Sequence, residues 1–187
     1  NNEKKFFSFI RKKKLDFVIV CTPSYKHFDH IKRSIKSFCN VIVEKPPLLK
    51  ESQFKKIHDL EKTYNKKCFC VFQLRFDKRL ISLKNKIKLS QKINDVKINY
   101  FTYRGNWYFN SWKNNKNKSG GLLINIGIHF FDIFFWIFGK SKKIVINKRN
   151  KETIMGEIIL EKAKVKWVLS VKNLNKNNKN NKVSRTM

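Results

Sequence analysis

Apolar residues along this chain come in two rhythms. LDFVIVCTP (15–23), NVIVEKPP (40–47) and CFCVFQ (68–73) are short, dense runs rich in β-branched and aromatic side chains. Runs of that length, closed by turn residues, predict buried strands. Two prolines stop the second run, because proline cannot continue a ladder. Between the runs the period lengthens. Phe28, Ile31, Ile35 and Phe38 recur at helical spacing within 27–38, as do Phe54, Ile57, Leu60 and Tyr64 within 50–67. Buried strands alternating with amphipathic helices predict βαβ units and a parallel sheet.

After Arg75 the pattern changes. Residues 77–90 read as a helix, and DVKINYFTYRG (95–105) alternates like a half-buried strand. RGNWYFNSWK (104–113) reads as an aromatic loop that runs into the Asn/Lys-rich NSWKNNKNKSGG (110–121). IVINK (144–148), TIMGEIILE (153–161) and KVKWVLSVK (164–172) predict strands, with EKA (161–163) turning a hairpin between the last two. A boundary is therefore expected near 73–77. The expected fold class is α/β: a parallel-sheet half, then an α+β half with a predominantly antiparallel open sheet. The tail NLNKNNKNNKVSRTM (173–187) is polar, low in complexity and expected to be poorly ordered.

SGGLLINIGIHFFDIFFWIFG (119–139) is long and apolar enough to suggest a membrane span. On a helix, however, Asn125, His129 and Asp132 fall within about 60° of each other. An aspartate at a membrane centre is penalised by about 3 kcal/mol on insertion scales. A helix lining a cleft is the better expectation, beside a plain core helix with a satisfied histidine. No membrane span is expected. NNEKKFFSFIRKKK, at the start, has neither a long apolar run nor a small-residue cleavage site, so no secretory leader is expected there.

Charge complicates the picture. The formal net charge is +30, which raises nucleic acid or an anionic membrane as partner. Yet 36 of the 43 basic residues are Lys, Asn occurs 21 times, and Ala occurs once, at Ala163. That bias matches AT-rich codons, and the lysines are spread rather than gathered into a stripe. Compositional drift on solvated surfaces and a nucleic-acid surface both remain open, drift being favoured. Cys21, Cys39, Cys68 and Cys70 have no CxxC spacing. Buried free thiols in a reducing cytoplasm are expected, and no metal site.

Candidate chemistry sits at the strand ends. Glu44 and Lys45 follow a parallel strand where open α/β sheets bind ligands. There Lys45 can lose hydration and move toward acid/base duty, or the pair can be two surface charges before a turn. TPSYKH (22–27) puts Thr22 and His27 near a helix N-terminus, a setting that favours phosphate. His30 and His58 are expected to be surface histidines. The aromatics and donors of 104–113 suit stacking on a base or sugar, a packed loop, or a nucleic-acid platform.

Taken in order, D-VIVCTPSYKH, NVIVEKPP, CVFQLRF and GGLLINIGIHFFD resemble the Gfo/Idh/MocA family of nicotinamide-dependent sugar oxidoreductases. RGNWYFNSWK…KSGGLLINIGIHFFDIFFWIFG resembles its branch of UDP-N-acetyl-2-amino-2-deoxyglucuronate dehydrogenases of surface-polysaccharide synthesis. The resemblance covers roughly residues 15–172. It implies a partial NAD(P)-binding Rossmann domain over 1–75 and a partial substrate and oligomerisation domain over 76–187. It implies Cys21, Thr22, Pro23, His27, Glu44, Lys45, Pro46 and Gln73 beside the cofactor, NAD with NADP open, and a cis peptide before Pro46. It implies Lys45 and His129 as catalytic residues. Arg75, Arg104, Trp107, Tyr108, Ser111, Trp112, Lys113, Asn125 and His129 would hold a nucleotide-sugar. Asn125 stands where many relatives carry Asp; an amide can orient a hydroxyl but takes no proton at neutral pH.

The implied reaction is NAD-dependent oxidation of the 3-hydroxyl of a UDP-N-acetylated hexuronate, in a cytoplasmic homo-oligomer associating through the C-terminal sheet. One departure matters. No GxGxxG motif occurs in the chain. A fragment, lacking the Gly-rich cofactor motif and the C-terminal end, is therefore expected, and weak or absent NAD binding by the chain alone. An inactive remnant is the alternative reading, and a basic nucleic-acid-binding module a further one.

Overall fold

Phe7 and Ile10 lie three apart in a Lys-rich run, and both are buried. In the computed structural model, which describes residues 2–172, they seat helix α1 (Asn2–Lys13). Three parallel strands follow: β1 (Phe17–Val20), β2 (Asn40–Val43) and β3 (Cys68–Cys70), in that order across the sheet. Helices α2 (Ser24–Lys36) and α3 (Glu51–Tyr64) make the crossovers. Asn65 ends α3 in the left-handed region at φ 49°, which Asn tolerates better than most residues. Residues 1–71, joined by 115–120, form one compact unit; residues 72–114 and those from 121 onward form another.

The first unit has a one-sided core. Val18, Val20, Val41 and Val43 pack with Phe7, Ile10, Ile31, Ile35 and Ile57. All three helices thus cover the same face of the sheet. The strands were expected to be buried; on the other face Phe17, Ile19 and Phe69 are exposed. The expectation fails there because both crossovers run the same way, so nothing among the described residues covers the second face.

The thiols divide likewise. All four are free; Cys39 is buried, Cys68 and Cys70 are half-buried, and Cys21, contrary to the expectation of burial, is exposed beyond the end of β1. Burial, with Glu61 nearby, pushes the Cys68 thiol up to about 12. Since the thiolate is the nucleophile, iodoacetamide at neutral pH should label Cys21 well before Cys68. Peptide mass spectrometry checks this, and equal labelling would contradict it.

The second unit begins with a short 3-10 turn at Gln73–Phe76, then α4 (Lys78–Leu89). Its sheet contains β4 (Asn94–Phe101), β5 (Ser141–Arg149), β6 (Thr153–Leu160) and β7 (Ala163–Ser170). The order is β4-β7-β6-β5. Two pairings are antiparallel, including the expected β6–β7 hairpin, whereas β4 runs parallel to β7. Ile154, Ile158, Leu160, Val165, Trp167 and Leu169 pack against Ile133, Phe134, Ile137 and Phe138. Gly156 lies opposite Trp167 because a Cβ there would collide with the Val145 carbonyl and the indole.

Helix α4 is capped at both ends, by a distant cation at its C-terminus and by its own N-cap residue at its start. Lys162, from the β6–β7 turn, donates to the carbonyls of Ile87, Lys88 and Ser90 at 2.8–3.1 Å. A cation there satisfies orphan carbonyls and complements the helix dipole. At the other end Asp77 accepts from the Arg79 backbone at 2.8 Å. The hydrogen bond from the Arg79 side chain leads in holding the Asp77 carboxyl down to about 2. A depressed carboxylate contributes stability above its ordinary value, about 3.9, and loses it as pH falls through its folded value. Unfolding followed between pH 4 and pH 2 should therefore show an acid-sensitive component that Asp77→Asn removes. An unchanged acid profile in that variant would contradict the assignment.

Three expected boundaries move. The aromatic stretch 104–113 is not a plain loop: α5 (Gly105–Asn110) and a 3-10 turn (Trp112–Asn114) occupy it. Tyr108 is buried, and that contact outweighs the weak helix propensity of the aromatics. Inside the Asn/Lys stretch, Asn115 caps the single turn α6 (Lys116–Ser119) through its side-chain oxygen. The long apolar stretch is not one α-helix but a π-turn at Leu123–Gly127 followed by α7 (Ile128–Phe138). Lys116–Phe138 is by length and composition able to cross a membrane. Its side chains Leu122, Ile126, Ile133, Phe134, Ile137 and Phe138 lie in the core of the second unit. The tail expected to be poorly ordered, 173–187, lies outside the described residues.

Candidate functional site

The carboxyl ends of two adjacent parallel strands carry the first group of candidates. After β1 come Cys21, Thr22 and Pro23; after β2 come Glu44, Lys45 and Pro46. This is where open α/β sheets bind ligands. The Lys45–Pro46 bond is cis. His27, one turn into α2 and 1% exposed, ties the two turns together. Its Nδ1 faces the Pro46 carbonyl at 2.7 Å and its Nε2 the Thr22 carbonyl at 2.6 Å. A neutral ring carries one N–H and can donate to only one of them at a time.

Glu44 is exposed, and its carboxylate accepts from the Lys45 backbone N–H at 3.3 Å. Lys45 is half-buried. His30 was expected at the surface, but its side chain is only 12% exposed. Its Nδ1 meets Thr22 Oγ1 at 3.0 Å and its Nε2 lies 3.7 Å from Glu3. Burial pushes the His30 imidazole down, with the Glu3 carboxylate opposing. Glu3 also accepts from Lys26 Nζ at 2.6 Å. Thus α1 reaches the Thr22 turn, a contact that a charged, weakly periodic N-terminal run did not advertise. His58 is on the surface as expected, 3.6 Å from Glu61.

The second unit carries the other candidates. Asn125 sits in the π-turn, a feature frequent at functional sites. It hydrogen-bonds the hydroxyl of Tyr108, whose ionisation burial pushes up. Arg104 is charged nearby, and its Nε is buried without a hydrogen-bond partner among the described residues. Ser111 donates to the Tyr108 carbonyl at 2.9 Å and accepts from the Lys113 backbone N–H at 3.3 Å. The Lys113 ammonium lies 5.2 Å from the centroid of Trp107, which is exposed, and 6.0 Å from that of Trp112. This cluster presents an aromatic face with a cation beside it.

His129 is half-buried on α7, three residues before Asp132. Asp132 receives both Nε and an Nη of Arg75, a bidentate pair linking the 3-10 turn to α7. The same guanidinium lies 5.5 Å from the Phe72 ring centroid and 6.0 Å from that of Trp136. Gln73 is exposed on that turn. So Arg104, Tyr108 and Asn125 come together, and Thr22, His27 and Pro46 come together. Arg75 goes to Asp132, the member of the polar stripe to which no binding role was given. Lys45 belongs to the first unit, His129 and Gln73 to the second.

The fit to a nicotinamide dinucleotide is uneven. The two turns lie side by side at the carboxyl ends of β1 and β2, where such sheets bind ligands, but both nitrogens of the buried His27 face backbone carbonyls. The first glycine in the chain is Gly105, so the first unit has no Gly-rich turn for a diphosphate.

Two family models match in tandem. Residues 4–72 match an oxidoreductase family's NAD-binding Rossmann fold, and residues 86–170 match the same family's C-terminal alpha/beta domain. The chain is 26% identical to D-glucoside 3-dehydrogenase of Escherichia coli over 129 residues, 67% of this chain and 36% of that protein. A crystal structure of the WlbA (WbpB) dehydrogenase from Thermus thermophilus, in complex with NAD and UDP-GlcNAcA, superimposes with a TM-score of 0.86 at 32% identity. The match covers 90% of this chain and 56% of that one. The WlbA dehydrogenase from Bordetella pertussis shares the fold, at a TM-score of 0.81 and 19% identity over 91% of this chain and 53% of that one. The chain therefore spans about a third to a little over half of the length of these relatives.

Proposed function

Because the chain belongs to the Gfo/Idh/MocA oxidoreductase family, we propose that it is part of an NAD-dependent dehydrogenase of a UDP-N-acetylated hexuronate. The observation that carries the reading is the Arg104–Tyr108–Asn125 cluster. A buried guanidinium N–H without an acceptor costs about 1–3 kcal/mol, a cost that a substrate phosphate or carboxylate would offset. Asn125, already holding the Tyr108 hydroxyl, can orient a sugar hydroxyl without competing for its proton. Trp107, Trp112 and Lys113 offer a stacking face beside a cation for the nucleotide. The relative that binds UDP-GlcNAcA and NAD, 32% identical, supports the substrate class.

In this reading Lys45 or His129 removes the proton of the sugar's 3-hydroxyl. When bound, NAD supplies the hydride acceptor. Thr22, His27, Glu44 and Pro46 orient the nicotinamide side, with Cys21, Pro23 and Gln73 as further cofactor contacts. Arg75, paired to Asp132, braces α7 as well as meeting substrate. The place is the cytoplasm and the pathway surface-polysaccharide synthesis. Copies associate through the outer face of the β4-β7-β6-β5 sheet. Extents of 1–75 and 76–187 for the two domains belong to the same proposal.

The test is NADH formation by the intact protein with UDP-GlcNAcA against UDP-GlcNAc, which lacks the carboxylate. Preference for the former, reduced at least tenfold in Arg104→Gln, is expected. Equal use of both sugars would contradict the substrate class. The absence of glycine before Gly105 favours a second reading, a chain that alone does not hold NAD.

A further inference from the structure

A groove between α1 and α2 holds about 500 Å³, within the range of small-molecule sites. Lys4, Ser8, Arg11 and Lys12 line it from α1 and Arg33 from α2. Phe7, only 5% exposed, lines it too. Positions 4, 8, 11 and 12 fall within about 100° of one another on a helix. The Arg33 guanidinium lies over the Phe7 ring, 5.2 Å from its centroid. Four cations and a hydroxyl therefore converge, and no carboxylate lines the groove. Glu3, the only acidic residue of α1, lies 2.6 Å from Lys26 and 3.7 Å from His30. Among the described residues, Lys4, Arg11, Lys12 and Arg33 form no ion pair.

Two ordinary causes do not account for this convergence. Helix dipoles favour cations in a last turn, where Arg11, Lys12 and Arg33 stand. They do not favour Lys4 in a first turn, nor do they aim side chains of two helices into one groove. Compositional drift multiplies lysine, whereas Arg makes up only 7 of the 43 basic residues, and two of those seven meet here. We propose that the groove binds a small polyphosphate, an anion with at least two linked phosphoryl groups. A cleft lined by one sign of charge focuses its field and concentrates counter-ions. The guanidinium forks of Arg11 and Arg33 match phosphate oxygens in pairs, with Lys4 and Lys12 as point charges and Ser8 as a hydroxyl donor. Lys4 and Lys12 stand about 12 Å apart along the axis of α1, so an extended anion engages both ends better than a single phosphate does. Arg33 lies in the last turn of α2 and Thr22 before its first, so the arginine end of the groove is no part of the strand-end site.

The inference is independent of the sugar assignment, so its test reads binding alone. Inorganic tripolyphosphate would be titrated into the full chain by calorimetry in about 0.15 M salt, where scattered surface charges are screened beyond about 8 Å. One-to-one binding is expected, at least tenfold tighter than that of inorganic phosphate. Arg11→Gln together with Arg33→Gln should weaken it at least tenfold. Lys4→Gln together with Lys12→Gln, which leaves the Arg33–Phe7 contact in place, should also weaken it, by at least threefold. Lys56→Gln together with Lys62→Gln, an equal loss of charge on exposed positions of α3, should leave it unchanged. Circular dichroism should show all three variants folded as the parent. Absent or non-stoichiometric binding would overturn the proposal. Equal weakening by the α3 pair would overturn it in favour of net charge alone. Tighter groove-dependent binding of oligodeoxythymidylate, or of phosphatidylserine vesicles, would overturn it in favour of a nucleic-acid or membrane surface.

Discussion

Sugar-dependent NADH formation should fall by about 10²- to 10⁴-fold when Lys45 and His129 are both replaced by alanine, the range typical of a lost general base. The double replacement is the test because the proposed function assigns the hydroxyl proton to Lys45 or His129 without choosing between them. Lys45 follows β2 in the turn that His27 grips, and His129 lies on α7 behind the π-turn. Each is half-buried, so removal leaves the two cores intact. The loss should therefore appear in kcat, with substrate affinity and the unfolding midpoint near those of the parent. The pH profile of the surviving activity should flatten on its acidic limb, since the group that must be deprotonated is gone. Undiminished kcat in the double variant would sink the assignment of both roles.

His27→Ala should destabilise the first unit strongly, by about 3 kcal/mol. The side chain is 1% exposed and meets two backbone carbonyls, those of Thr22 and Pro46. Leaving a buried acceptor unpaired costs about 1–3 kcal/mol, and the vacated volume adds to that. His27→Phe separates the two contributions, because it fills the space and removes the ring N–H that one of the carbonyls accepts. Denaturant unfolding of the three proteins is the measurement. The phenylalanine variant should remain well below the parent. Parent-like stability in either variant would mean that the two turns hold themselves.

The parts of this fold that could be read from the sequence have short-range causes. VIVCTP and VIVEKPP announce strands that end in turns, and the spacings of Ile31 and Ile35, or Ile57 and Leu60, announce the crossover helices. The parts that could not be read depend on partners distant in the chain. The Arg75–Asp132 pair spans 57 residues, and the parallel pairing of β4 with β7 joins strands separated by α7, β5 and β6. Phe7 and Ile10 give too short a signal to predict α1, although their burial is complete or nearly so. The π-turn is invisible to a fixed helical angle. A stripe drawn at a constant pitch through Asn125, His129 and Asp132 grouped them correctly as polar, but the structure gives Asn125 to Tyr108 and Asp132 to Arg75. The uncovered sheet face escaped for a related reason: an apolar run says that a strand wants burial, not whether anything arrives to bury it.

The proposed reaction breaks the bond between carbon 3 of the sugar and its hydrogen. UDP-GlcNAcA carrying deuterium on carbon 3, given with NAD to the intact protein, is the most direct probe. Mass spectrometry of the reduced cofactor should find the label on the nicotinamide and the sugar oxidised at that carbon. Label retained on the sugar while NADH forms, or no NADH from this substrate, would contradict the account.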